Sequence, residues 1–348
     1  MVGCGAMSAE WLRSAKELGV EIAALVDLNI DMARSRATEF RIDSPVYDCL
    51  DEAIAGADAE LLYDCTIPAV HAEIDEKALA NGLHVLVEKP LATTLDAARR
   101  VIDLAAKNKL VHAVIQNRRF NPGIRKIRHL IEQGLIGELT TVNIDFFVPA
   151  HFGGFREKMD HILLTDMAIH PFDSVRYLTG ANAESVYCEE WNPKGSWWQH
   201  GASAHAIFHM NGGIRCTFRG SWCSEGLRTS WDSAWRIVGT EGTICWDGLE
   251  DIRGERVKIG KEGPVKHGLF YETEAFTAIQ EPNPFETRGH LSVMRQFLRD
   301  VSDGVPAETR STDNIQSLAM VLRAIESGIS GQKLPAEYPV KNCRLRCK

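Results

Sequence analysis

Over the first 118 residues, short apolar runs alternate with helix-patterned stretches. That alternation restricts this part of the chain to parallel βαβ units wound on both faces of one sheet. The strand runs are VEIAALVDLN (20–29), AELLYDCTIP (59–68), GLHVLVEKP (82–90) and LVHAVIQN (110–117). Helical patterns separate them at about 8–18, 30–39, 69–81 and 94–107.

Beyond residue 118 the pattern changes. PGIRKIRHLIEQG (122–134) reads as an amphipathic helix ending at Gly134, and ELTTVNIDFFV (138–148) alternates as a strand does. From about 185 to 260 strand runs dominate, with hairpin signals at Asn211-Gly212-Gly213 and in GTEGTICW. Two helical patterns follow, at about 288–303 and 312–328. The expected fold class is therefore α/β: an N-terminal Rossmann doubly wound parallel sheet (1–118), then an α+β domain (119–348) with a large, open, mostly antiparallel sheet. The basic tail KNCRLRCK reads as a solvated terminus.

With 348 residues the chain can bury large cores without disulfides or structural metals. A net charge of −8 argues against broad nucleic-acid or anionic-membrane binding. No apolar run reaches the roughly 20 residues of a membrane span, and no signal-peptide pattern opens the chain. Nine cysteines without a CxxC pair suit free thiols in a reducing cytoplasm. His205 and His209 share a strand face but lack a third ligand, so no metal is expected.

Gly3-Cys4-Gly5-Ala6-Met7-Ser8 is a dinucleotide fingerprint with Ser in place of its third small residue. Gly3 permits the tight turn, Gly5 lets backbone approach a pyrophosphate, and Ala6 and Met7 lead into the helix N-terminus that would hold it. Asp27 ends the next strand, placed to accept hydrogen bonds from an adenosine ribose. It would repel a 2′-phosphate, which favours NAD; Arg34 and Arg36 nearby keep NADP open. Only Met1 and Val2 precede the loop, where a central strand of about five residues is normal. Several apolar residues upstream of Met1 are therefore expected.

VGCGAM (2–7), CTIPAVH (65–71), LHVLVEKPLA (83–92), QNRRFNP (116–122), GLIGEL (134–139) and DMAIHPFD (166–173) together resemble the Gfo/Idh/MocA oxidoreductases, a family that includes inositol dehydrogenases and glucose–fructose oxidoreductases. The resemblance implies that Lys89 of Glu88-Lys89-Pro90 faces both nicotinamide and substrate. The chemistry agrees, since a fixed ammonium stabilises the charge developing on an alcohol oxygen as hydride leaves. Glu88 would hold the lysine or contact the cofactor. Thr66, Pro68 and His71 match the loop that lines the cofactor in such proteins. Asn117 and Arg118 match positions near nicotinamide and substrate, and Phe155-Arg156 resembles an aromatic–Arg pair near the site.

Asp166, His170 and Asp173 are spaced to share one helical face, with His170 the candidate base. Asp166 is expected to orient the imidazole or contact substrate, and Asp173 to orient His170 or cap local structure. Pro171 interrupts the helical pattern. Met167 stands where the family often has glycine, and the glycine-rich stretch expected before Asp166 is replaced by EKMDHILL. Seven tryptophans between 191 and 246 suit sheet packing or stacking on a sugar; Trp197-Trp198 is expected to be exposed.

The function these features imply is NAD(P)-dependent hydride transfer between nicotinamide and a secondary alcohol or ketone of a sugar, polyol or derivative. Lys89, His170 and Asp166 would be catalytic; Lys89, Arg118, Arg156, Asp166 and His170 would meet substrate. A redox-neutral NAD-dependent glycosidase and a non-catalytic dinucleotide sensor are the alternatives. The open sheet face is expected to make a homodimer or homotetramer.

Overall fold

The computed structural model describes residues 1–154, 156–277 and 289–339. Phe155, the tail 341–348 and its Cys343 and Cys347 lie outside them.

The chain begins at the centre of a parallel sheet. Val2 bridges in parallel to both Val26 and Asp64. The elements that follow are α1 (Ser8–Glu17), β1 (Leu25–Val26), α2 (Ile30–Phe40), β2 (Val46–Tyr47), α3 (Leu50–Gly56), β3 (Leu61–Asp64), α4 (His71–Ala80), β4 (His84–Val87), α5 (Leu95–Asn108) and β5 (His112–Val114). The pairings order the sheet β2-β1-Val2-β3-β4-β5, all parallel. Strand order reverses at Val2, so the loop opening at Gly3 sits at the switch point where ligands bind such sheets. Local signals explain the helices: Thr94 accepts from Ala97 N at the start of α5, and Lys109 closes it in the left-handed conformation.

The strands are shorter than their apolar runs. The run 20–29 yields only Leu25–Val26, because residues 20–24 have no ladder partner among the described residues. β2 and α3 escape the sequence pattern because neither is long enough to show periodicity.

α6 (Pro122–Glu132) starts at Asn121, whose side chain accepts from Gly123 N. Then come β6 (Leu139–Phe147), α7 (Ile169–Thr179), β7 (Ala183–Trp191), β8 (Ser203–Met210), β9 (Arg215–Ser221), β10 (Ala234–Gly239), β11 (Gly242–Trp246) and β12 (Ile252–Val257). Short pairs β13 (Ile259–Gly260) with β14 (Gly263–Pro264) and β15 (Lys266–His267) with β16 (Phe270–Tyr271) lead to β17 (Thr273–Thr277). The chain closes with α8 (Gly289–Asp303), α9 (Ser311–Ser330) and β18 (Leu334–Pro335). One sheet runs β17-β12-β11-β10-β6-β9-β8-β7-β18, antiparallel except at β6–β9. Both expected hairpins are present, β8–β9 across Asn211-Gly213 and β10–β11.

Alternation puts Val142, Ile144, Phe146, Phe208, Phe218, Ile237 and Ile244 into the core with Phe172 of α7. The other face leaves Tyr187, Trp191 and Ile207 between 37% and 45% exposed. α8 returns to pack on α1, while α9 spans from α5 and β5 to α7 and β7.

Candidate active site

Gly3 has φ +84°, and a Cβ there would meet the Cys65 carbonyl oxygen at 2.5 Å. Only glycine fits this crossing of backbones. A Cβ on Gly5 would meet nothing within 4 Å, so open space lies over that residue. The backbone amides of Gly5, Ala6 and Met7 have no hydrogen-bond partner among the described residues, and they precede the N-terminus of α1. Unpaired donors, open space and a positive helix end fit the pyrophosphate of a dinucleotide. Asp27 accepts from Cys4 N at 2.8 Å and Asn29 N at 2.9 Å, which fixes its carboxylate beside the loop. Arg36 spends its guanidinium on the Gly5 carbonyl (2.8 Å) and on Glu39, and Arg34 pairs with Asp31.

Lys89 follows β4 and precedes Pro90 through a cis peptide bond. Its Nζ donates to the carbonyl of Asp166 at 2.8 Å and to Asp166 Oδ1 at 2.9 Å. Burial pushes the Asp166 carboxyl up, but the charges of Lys89, Arg156 and Arg118 outweigh this and leave it below its usual range. Glu88 Oε2 accepts from the Lys89 amide and Oε1 from Trp11 Nε1, with His290 Nε2 3.7 Å away. Burial raises the Glu88 carboxyl; His290, Lys89 and Trp11 bring it net below its ordinary value.

His170 is buried, 7% exposed. Burial, then the charges of Arg118, Lys89 and His290, drive its pKa well below the ordinary value, so the ring is neutral near pH 7. Its Nδ1 lies 3.3 Å from Gln116 Nε2, and Gln116 Oε1 lies 3.4 Å from Asn314 Nδ2. Asn314 Oδ1 is buried without a partner among the described residues. A half-turn of both amides pairs that oxygen with Gln116 and presents Gln116 Oε1 to an Nδ1–H of His170. Nε2 is then the basic nitrogen.

Three expectations about this helix need correction. Asp166 does not orient His170; it holds Lys89. Asp173 neither orients His170 nor caps the helix: it is fully buried and takes two bonds from Arg119 (2.8 and 2.5 Å) and one from Ser317 Oγ (2.7 Å). A π-helical segment, Leu163–Ala168, lies ahead of α7. Its wider turn breaks the four-residue spacing from Asp166 to His170 and is followed by Pro171 near the start of α7, within which Asp173 turns to Arg119 and Ser317.

His71 is also corrected. It is fully buried, and Nδ1 and Nε2 face the carbonyls of Pro90 (2.8 Å) and Thr66 (3.2 Å), so it cannot line a cofactor site. Thr66 and Pro68 are partly exposed in the loop after β3. Asn117 Nδ2 meets His290 Nδ1 at 3.3 Å. Arg118 pairs with Asp232 at 2.9 Å and bonds the Trp231 carbonyl. Burial lowers the Arg118 pKa, with Asp232 opposing. Arg156 lies over the Phe152 ring, 5.4 Å from its centroid. Trp198, expected to be exposed, is buried and donates to the Trp222 carbonyl; Trp197 is partly buried on His151. The exposed rings near Arg118 and Arg156 are instead Trp231 (47%) and Phe152 (44%), 6.2 Å apart.

Gln116, His290 and Phe152 are thus site neighbours that sequence reading missed, while Trp231 was one of the seven tryptophans left open to packing or stacking. His290 is 120 residues past His170 at a helix start with no motif of its own. Only the QNRRFNP match touched Gln116. No cluster of three or more His, Cys, Asp or Glu is placed to hold a metal among the described residues.

The model of an oxidoreductase family with an NAD-binding Rossmann fold matches residues 1–116. That of the GFO/IDH/MocA C-terminal domain matches residues 124–245. An uncharacterized protein, y4oX, of Sinorhizobium fredii is 26% identical over 99% of this chain and 97% of its own. An inositol 2-dehydrogenase of an Arthrobacter species is 32% identical over 53% of this chain, so the match spans about half (55%) of that relative's length. Among solved structures, an oxidoreductase from Agrobacterium radiobacter, in complex with NAD+, L-tartaric acid and magnesium, superposes with TM-score 0.82 at 19% identity. It covers 96% of this chain and 97% of that one, a likeness of fold.

Proposed function

The chain belongs to the GFO/IDH/MocA oxidoreductase family, with an NAD-binding Rossmann fold, and from that premise we propose that it oxidises a secondary alcohol of a sugar, polyol or hydroxy acid, or reduces the ketone. The observation that carries this reading is the Lys89 ammonium, held by two oxygens of Asp166 beside a neutral, buried His170. On this reading residues 1–118 bind dinucleotide and 119–348 supply the substrate side.

Gly3, Gly5, Ala6 and Met7 would hold the pyrophosphate, Asp27 the ribose, and Thr66, Pro68, Glu88 and Asn117 the nicotinamide end. Asp27, with Arg34 and Arg36 already paired, favours NAD over NADP. Nicotinamide, when bound, accepts or returns the hydride. Lys89 donates a hydrogen bond to the reacting oxygen, and Asp166 keeps the ammonium aimed. His170 Nε2 takes the hydroxyl proton, with Gln116 and Asn314 fixing its tautomer. Arg118 and Arg156 border the substrate, and Phe152 and Trp231 offer ring faces to a carbon skeleton. Inositol, in the name of one relative, and the tartaric acid bound in the structural neighbour are both polyhydroxylated, which supports this class.

The described cysteines are all unpaired and no helix of the described residues is long and apolar enough to cross a membrane, which supports a cytoplasmic setting. We assign the open sheet face bearing Tyr187, Trp191 and Ile207 to a homodimer or homotetramer contact.

The test is absorbance of reduced nicotinamide with NAD and with NADP across inositols, aldoses, sugar acids and hydroxy acids. A signal with one class supports the proposal. Substrate consumed without net reduction of nicotinamide would replace it with the redox-neutral reaction.

A further inference from the structure

A buried chain of four titratable side chains runs beneath the site. His71 opens α4, Asp75 lies one turn later, Asp64 ends β3 and His112 lies in β5. All four are 3% exposed or less. None belongs to the proton and hydride chemistry above.

The hydrogen bonds fix the place of the ring. His71 Nδ1 is 2.8 Å from the Pro90 carbonyl oxygen and Nε2 is 3.2 Å from the Thr66 carbonyl oxygen. Asp64 Oδ1 accepts from Thr66 N (2.9 Å) and Thr66 Oγ1 (2.6 Å). Asp64 Oδ2 and Asp75 Oδ1 are buried without a hydrogen-bond partner among the described residues. Burial pushes the Asp75 carboxyl well above its ordinary value, and its Oδ2 accepts from His112 Nε2 at 2.9 Å.

We propose that His71 is the positioning residue that ties the Thr66 loop to the Lys89-Pro90 turn. The chain Asp64–Thr66–His71–Pro90 joins the ends of β3 and β4 through one side chain. Those ends carry the loop facing nicotinamide and the lysine facing substrate. His71 therefore acts on catalysis through the aim of Lys89. The groups facing it are Asp64 from β3 and Asp75 from its own helix, with His112 beyond Asp75.

The inference rests on Lys89 having the role proposed above, and a double-mutant cycle separates the two. His71→Gln should lower kcat about tenfold or more, with NAD affinity changed less than threefold, because Asp27 and the glycine loop are untouched. His71→Gln/Lys89→Met should be no slower than Lys89→Met alone. Additive losses would overturn positioning through Lys89. Should the glutamine variant not fold, His71→Asn in the same cycle serves. Lys89→Met turning over like wild type would instead sink the assignment of Lys89 itself, a result distinct from additive losses.

Discussion

Replacing Lys89 by methionine removes one charge and little volume. In the folded protein it deletes two donors, at 2.8 and 2.9 Å from Asp166, and the donor proposed for the reacting oxygen. Loss of one donor to a developing oxyanion costs roughly 10²–10³ in kcat, or about 3–4 kcal/mol. Substrate binding depends on other groups as well, so KM should move by less than about tenfold. The substitution also changes the field at two neighbours. Lys89 is one of the cations holding His170 below its ordinary pKa, so the acid limb of the kcat profile should move to higher pH. Asp166 loses the largest influence opposing its burial, so its carboxyl should titrate higher as well. The assay is steady-state reduction of NAD from about pH 5 to 9 on wild type and variant, with NAD affinity measured by calorimetry. Turnover within about threefold of wild type, or an acid limb that does not move, would refute the reasoning.

Other substitutions separate fold from site. Gly5→Ala should leave the unfolding midpoint unchanged but weaken NAD binding by tenfold or more, whereas Gly3→Ala should lose both, its Cβ meeting Cys65 backbone at 2.5 Å; equal behaviour in melting and calorimetry would contradict the loop geometry. Asp173→Ala strips a fully buried Arg119 of its main partner and should cost about 3–5 kcal/mol in urea unfolding, and a loss below 1 kcal/mol would deny that the pair is buried. Burial holds the His112 pKa at about 3 in the folded state, below its unfolded value. The unfolded chain then binds the extra proton, so this group's contribution falls with falling pH, by about 2 kcal/mol between pH 7 and 5. A urea midpoint equal at both would count against it. Trp231→Ala should raise KM for ring-shaped substrates severalfold and leave NAD affinity alone; an unchanged KM removes Trp231 from the substrate wall.

Features set by local backbone were legible in the sequence. Gly3, Gly5 and Asp27 are read from a tight turn and a strand end, and the structure puts them side by side. The mixed nature of the second sheet was less so, because the parallel β6–β9 pairing joins strands about 70 residues apart and leaves no mark on either. Within the site, Lys89, Asp166 and His170 are neighbours as expected, yet who holds whom was misread. One π turn takes Asp166 away from His170 and to the lysine, while Asp173, inside regular α7, is claimed by the buried Arg119. His71 matches a motif that suggested cofactor contact, but exposure is a property of packing and not of spacing. Trp198 was misplaced for the same reason: a Gly/Ser-rich loop reads as exposed until Trp222 and Phe152 close over it.

The last long helix has a mechanical consequence. α9 has 20 residues, about 30 Å of rod at 1.5 Å per residue. It packs on α5 and β5 beside the parallel sheet and on α7 and β7 beside the large sheet, reaching Cys188 of β7 through Ser327 near its far end. Asp313, near its start, braces Arg119 and Arg176. A swing of one sheet against the other would have to bend this rod or part Asp313 from two buried arginines. Substrate admission is thereby left to surface loops, and the distance between Lys89 and His170 is set once, when the chain folds.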